Sequence, residues 1–323
     1  MKYFNANKKN ALHNLEKVLN VRKSKQQNQS KIVKKLLSDV KRYGDKSVIK
    51  YEKKFSKLKT NTTKIKFSKD EINQISKNVD NKLKKSIDIA FARIKYFHTK
   101  QKFSSFKYKD KFKNELSYKY SPIESVGVYV PGGTASYPST VLMNCIPALV
   151  AGVKNIFLTT PALGAPVNPA IIYAAKKCGV KEIYKTGGAH SIAAFAYGTK
   201  TFKKVDKIVG PGNAFVAAAK KEVFGEVGID MVAGPSEVSI IADKNSNASW
   251  IASDLIAQAE HDVLAQSILI SNNRNFIKIV KLRIKSQLKD LPKKNIASKS
   301  IKNFGLAIYA NSIEKISEIV NLI

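Results

Sequence analysis

Gln258 and His261 stand three residues apart in a stretch, Ala248 to about His261, that reads as a helix, so both side chains project from one face. A neutral imidazole is the commonest side-chain metal ligand, and a glutamine carbonyl is an unusual one. A catalytic zinc takes three protein ligands and keeps one open position, so two donors are too few. The pair reads either as part of a metal centre completed from elsewhere or as the polar end of a helix. Upstream, Gly210-Pro211-Gly212-Asn213 closes a strand and opens a helix from Ala214 to Val223. Glycines allow close backbone approach and a helix N-terminus offers N–H groups to an anion, so a pyrophosphate could sit there. The tetrapeptide does not match GxGxxG, and an ordinary strand-to-helix turn is the other reading. Val130-Pro131-Gly132-Gly133 has the same two readings. Ser236, within Gly234-Pro235-Ser236-Glu237, invites a nucleophile reading. It lacks the GxSxG elbow and identifiable His and Asp partners.

The elements that must position these residues follow two rhythms. Over the first 120 residues Leu12, Leu15, Val18 and Leu19, and then Ile32, Leu36, Leu37 and Val40, fall at helical spacing. Gly44 interrupts the second run before Ser47 to Phe55 resumes it. Ser68 with Glu71 predicts a capping box. Residues 80–104 predict another helix, and Phe106 to Tyr120 alternates like a β-hairpin. From Val126 the pattern becomes strand, turn, helix. Strands are expected at Val126 to Val130, Asn155 to Thr159, Glu182 to Lys185 and Val205 to Val209. A second set follows at Val238 to Ala242, Ala265 to Ser271 and Gly305 to Tyr309, with helices from Asn275 to Leu288 and from Ser312. Short apolar strands alternating with helices imply parallel sheets covered on both faces.

Composition narrows the partners. The 323 residues carry a formal net charge of +33, of which residues 1–120 hold +24 and residues 121–260 only +2. Only five of the 57 basic residues are arginine. Arginine's bidentate fork is what phosphate and base readers favour, so the lysine excess reads as solvated helix faces and no nucleic-acid partner is expected. No secretory leader is expected from the polar start, Met1 to Asn10. The apolar stretch Cys145 to Ala165 is interrupted by Lys154, Asn155 and Pro161, so no membrane span is expected. Cys145 and Cys178 read as reduced core thiols. A cytoplasmic location fits all of this. His13 and His98 read as surface or packing residues.

Ordered blocks of the chain resemble the histidinol dehydrogenase family. They are Val126-Gly127-Val128-Tyr129-Val130-Pro131-Gly132-Gly133, Pro138-Ser139-Thr140-Val141-Leu142-Met143, Gly187-Gly188-Ala189, Val205 to Val216, Ala233 to Val238, Ala252-Ser253-Asp254-Leu255 and Gln258-Ala259-Glu260-His261. The resemblance is dense over 124–271 and looser before 120. It implies an α/β fold of two Rossmann-like halves with parallel sheets and a helical N-terminal region, the last part of the family fold missing. The expected division is an N-terminal helical arm at 1–25, a first domain of 26–128 with 237–323, and an inserted second domain at 129–236.

The resemblance also implies roles. Tyr129, His190 and Asn213 match positions that contact NAD, Ser236 one that contacts the substrate, and Gln258 and His261 two zinc ligands that also hold the substrate. The family usually has glutamine at the place of His190; an imidazole still donates one hydrogen bond but lacks the amide's paired donor and acceptor. The implied reaction oxidises L-histidinol to L-histidine through a bound aldehyde with two NAD, in a homodimer that carries Zn2+. The implied Glu-His catalytic pair, an Asp ligand, a substrate-binding Glu and a final His ligand belong to a segment after Ile323. The chain is therefore expected to be a truncated form, inactive alone. The alternatives are a same-fold dehydrogenase of another small alcohol and an inactive NAD-binding remnant.

Overall fold

The computed structural model describes residues 1–56, 64–132, 138–162, 166–232 and 237–323, apart from the side chains of 21–29. In chain order the elements are β1 (Lys2–Asn5), α1 (Ala11–Tyr43), α2 (Asp45–Ser56), α3 (Lys69–Lys77), α4 (Asn81–Thr99), β2 (Phe106–Lys109), β3 (Glu115–Tyr118), β4 (Ser125–Tyr129), α5 (Pro138–Ala151), β5 (Asn155–Thr159) and α6 (Pro169–Lys177). They continue as β6 (Glu182–Tyr184), α7 (Gly188–Tyr197), β7 (Lys207–Val209), α8 (Ala214–Val223), β8 (Gly228–Ile229), β9 (Glu237–Ile241), α9 (Ala248–Ala259), β10 (Gln266–Ser271), α10 (Arg274–Gln287), α11 (Lys294–Asn303), β11 (Leu306–Tyr309) and α12 (Ile313–Leu322). None of the described helices is long and apolar enough to cross a membrane.

Backbone contacts divide the chain into two units, 1–28 with 233–323, and 29–232. The larger unit holds a five-stranded sheet in the order β6-β5-β4-β7-β8, every neighbouring pair parallel. Its strands alternate between two cores. Val126, Val128, Ile156, Leu158 and Ile183 face α4, α5 and α6, whereas Tyr129, Phe157, Tyr184 and Ile208 face α7, α8 and the second part of α1. A sheet buried on both faces is why these strands read as continuous apolar runs. The chain leaves β4 for β5 and β6 on one side, then returns to lay β7 on the other. That reversal opens a crevice at the carboxyl ends of β4 and β7, the usual place for a ligand in an open parallel sheet.

The smaller unit holds the parallel sheet β1-β11-β10-β9. Leu269 and Ala307 pack under α9, α10 and α11. The alternate residues Ile268, Ile270, Leu306 and Ile308 pack against Leu15, Leu19, Ile316 and Ile319.

The parallel-sheet architecture and the 106–120 hairpin match the sequence reading, and both bonds of the Ser68–Glu71 capping box form, at 3.1 and 2.7 Å. Two features differ. The start is not wholly helical: Lys2–Asn5 pairs with β11 as an edge strand, whose short length and exposed Lys2 side chain hid it from a pattern search. Residues 29–128 also pack with 129–232, where the sequence reading grouped 26–128 with 237–323. Phe67 donates to the Ile183 carbonyl (2.9 Å) and Lys185 to that of Ile65 (2.7 Å), so this segment runs along β6, and α3 packs on α6 and α4 on α5. Cys145 and Cys178 are free and buried.

Candidate active site

A cavity of about 280 Å³ opens at the carboxyl ends of the five-stranded sheet, near the lower limit of small-ligand sites, roughly 300 Å³. Tyr129 closes β4, Asn213 follows β7 and His190 lies in the first turn of α7, and all three line it. Its apolar wall comes from Ile32, Val33, Leu36 and Phe55.

Each polar side chain is held by a partner distant in sequence or by a helix end. Tyr129 is buried, its hydroxyl accepts the Gly188 N–H at 3.0 Å, and burial pushes its pKa up to about 12. It is therefore a phenol at neutral pH, with one O–H left to donate. Asn213 is the N-cap of α8; its Oδ1 accepts the N–H groups of Phe215 and Val216, both at 3.1 Å. This changes the sequence reading of that turn. Two of the donors thought free for an anion are already satisfied by Asn213, which leaves its own amide N–H₂ and the Ala214 N–H to meet a ligand. The turn is also clamped from behind. Buried Lys220 donates to the Gly210 carbonyl at 3.0 Å and pairs with Asp230, which accepts the Gly210 N–H at 2.8 Å. Gly210 has φ +113°, and a side chain there would meet the Tyr129 carbonyl oxygen, so only glycine suits both the dihedral and the space.

His190 is 2% exposed, and its Nε2 lies 2.6 Å from the equally buried Glu52 carboxylate. Sequence reasoning missed Glu52. It sits among lysines in Tyr51-Glu52-Lys53-Lys54 and reads as solvated surface; the one usable signal was its place between Tyr51 and Phe55 on an amphipathic helix.

The second group of expected residues lies in the smaller unit. Helix α9 ends at Ala259 and Glu260 caps it, so His261 stands on the turn beyond the helix, not on its face. The His261 N–H still bonds to the Gln258 carbonyl at 3.3 Å, which keeps the two residues together. Gln258 is half-buried and its Nε2 is buried without a hydrogen-bond partner, while His261 is exposed. The sequence reading takes these two as metal ligands; among the described residues no group of three or more His, Cys, Asp or Glu side chains could hold an ion. The described residues alone do not complete a zinc site. Ser236 lies outside the described residues.

A parallel sheet with a cavity at its strand reversal and a capped turn beside it is the arrangement of ligand-binding open-sheet α/β proteins. Comparison with known proteins is more specific. The family model described as histidinol dehydrogenase matches residues 19–323. A histidinol dehydrogenase of Pelagibacter ubique is 55% identical over all of this chain and 75% of its own length. That of Mesorhizobium japonicum is 47% identical over 90% of this chain and 68% of its own. The crystal structure of histidinol dehydrogenase from Elizabethkingia anophelis superposes with a TM-score of 0.79 at 41% identity, covering 90% of this chain and 67% of that one. The chain belongs to the histidinol dehydrogenase family, oxidoreductases that use NAD and zinc, and spans about two thirds to three quarters of the length of these relatives.

Proposed function

We propose that the chain serves the oxidation of L-histidinol to L-histidine, two successive two-electron steps through a bound aldehyde, each delivering a hydride to one NAD. This is the last step of histidine biosynthesis and is assigned to the cytoplasm and to a homodimer. The observation that carries the reading is the convergence of Tyr129, His190 and Asn213, up to 84 positions apart in sequence, on one cavity at the sheet's strand reversal. In this reading the cavity takes part of the NAD. Tyr129 and the Asn213 amide donate to it, and His190 makes the third polar contact. Gln258 and His261 supply two of the ligands to zinc, which would hold the substrate's amine and imidazole, and Ser236 touches the substrate.

On this reading the 323-residue chain binds NAD, and an enzyme that contains it forms NADH from NAD and L-histidinol in the presence of zinc. No NADH above a zinc-stripped blank from such an enzyme would contradict the reaction. Failure to bind NAD would contradict the assignment of the cavity.

A further inference from the structure

Glu52 reaches the cavity wall from α2 and is as buried as the histidine it meets. Its carboxylate accepts from three donors: His190 Nε2 at 2.6 Å, the Gly187 N–H at 3.2 Å and the Ser56 hydroxyl. Burial pushes its carboxyl pKa up, but the hydrogen bond from His190, with those from Ser56 and Gly187, brings it below the ordinary value. A carboxylate has no proton to give, so His190 Nε2 must carry the hydrogen between them. The other ring nitrogen, Nδ1, is buried and has no partner. Tyr51 and Phe55 lie near-parallel to the imidazole, with centroids 6.4 and 6.3 Å away, and so help hold its plane. Gly188, at φ +67°, lies beside the Nδ1 edge, where a Cβ would stand 3.4 Å from Nδ1 and Cε1. A buried N–H without an acceptor is rarer in proteins than an under-used acceptor, which favours a bare Nδ1.

We propose that Glu52 is a positioning residue of this cavity: it fixes His190 as the Nε2–H tautomer and leaves Nδ1 as an acceptor for a donating group of the ligand. On a nucleotide that group is an exocyclic amine, a carboxamide N–H or a sugar hydroxyl. The inference rests on the cavity being the nucleotide site.

Ring-nitrogen NMR of the 323-residue chain reads His190 directly. The expected spectrum has Nε2 protonated and Nδ1 bare in the wild type, mixed tautomers in Glu52→Gln, and an Nδ1 signal that moves as NAD is added. NAD affinity is then compared among wild type, Glu52→Gln, His190→Gln and the double variant, with thermal unfolding confirming that each is folded. Glu52→Gln should weaken NAD about tenfold when His190 is present and less than about twofold in the His190→Gln background, because an amide carries both donor and acceptor and needs no tautomer fixed. Equal losses in both backgrounds would make Glu52 merely structural and overturn the inference. So would a wild-type ring protonated at Nδ1, a result that needs no variant to fold. NAD binding that leaves Nδ1 unmoved would overturn the nucleotide reading of the cavity together with the ligand contact, and the tautomer result would separate that failure from the others.

Discussion

The cavity of residues 29–232 and the turn at 258–261 are built in opposite ways. Tyr129, His190, Asn213 and Glu52 come from four separate elements, and each has a fixed partner: Gly188, Glu52, the α8 N-terminus and His190. Gln258 and His261 are neighbours on one turn, one with an unpartnered buried amide and the other with an exposed ring. The first is a pocket whose polar atoms are oriented before a ligand arrives. The second is a pair of side chains for which the described residues supply no fixed polar partner. Pre-organisation lowers the cost of binding, so the cavity is the region expected to act on its own.

If the cavity is held by its long-range partners, breaking one should cost far more than any change at the turn. The largest effect is expected for Lys220→Met, which strips the clamp from Gly210 and leaves Asp230 without its cation. Denaturant unfolding should register a loss of about 3 kcal/mol, the low end for a buried pair because Asp230 is partly exposed. Gly210→Ala puts a Cβ against the Tyr129 carbonyl at a positive φ; a loss of roughly 1–3 kcal/mol and weakened NAD binding should follow. Asn213→Ala should cost about 1 kcal/mol through the lost cap, and Asn213→Ser should recover most of that stability without recovering NAD affinity.

At the turn the sign should reverse. Gln258→Leu removes an unsatisfied buried amide and should stabilise the fold by up to about 1 kcal/mol, read as a higher midpoint of unfolding. A loss instead would mean that the amide has a partner and that the contrast between the regions is overstated. The smallest change concerns acid. Because its native pKa is depressed, the stability Glu52 contributes is present above the ordinary carboxylate range and is lost as pH falls through the lowered value. A pH series of unfolding curves for Glu52→Gln should lack that part of the acid limb.

Much of this was legible beforehand, for physical reasons. Apart from β1 and β8, the strands of both sheets are largely apolar runs bounded by Gly, Pro and Asn, and the turns after β4 and β7 carry the glycines that close approach requires. Tyr129 and Asn213 could therefore be tied to strand ends from sequence. What escaped depends on distance in space. Nothing local distinguishes Glu52 from the charges on exposed faces, since its burial comes from a partner 138 residues away. Asn213's role as a cap, which removes donors from the supposed anion site, depends on side-chain orientation that a tetrapeptide does not encode. His261 was placed on a helix face because an i, i+3 spacing is the same on a helix and on the turn that ends it.

The most direct test is amide hydrogen exchange on the 323-residue chain with and without NAD. Slowed exchange is expected at 129–132, 187–190 and 213–216, with 258–261 unchanged. Protection confined to 258–261, or none in the cavity segments at saturating NAD, would contradict it.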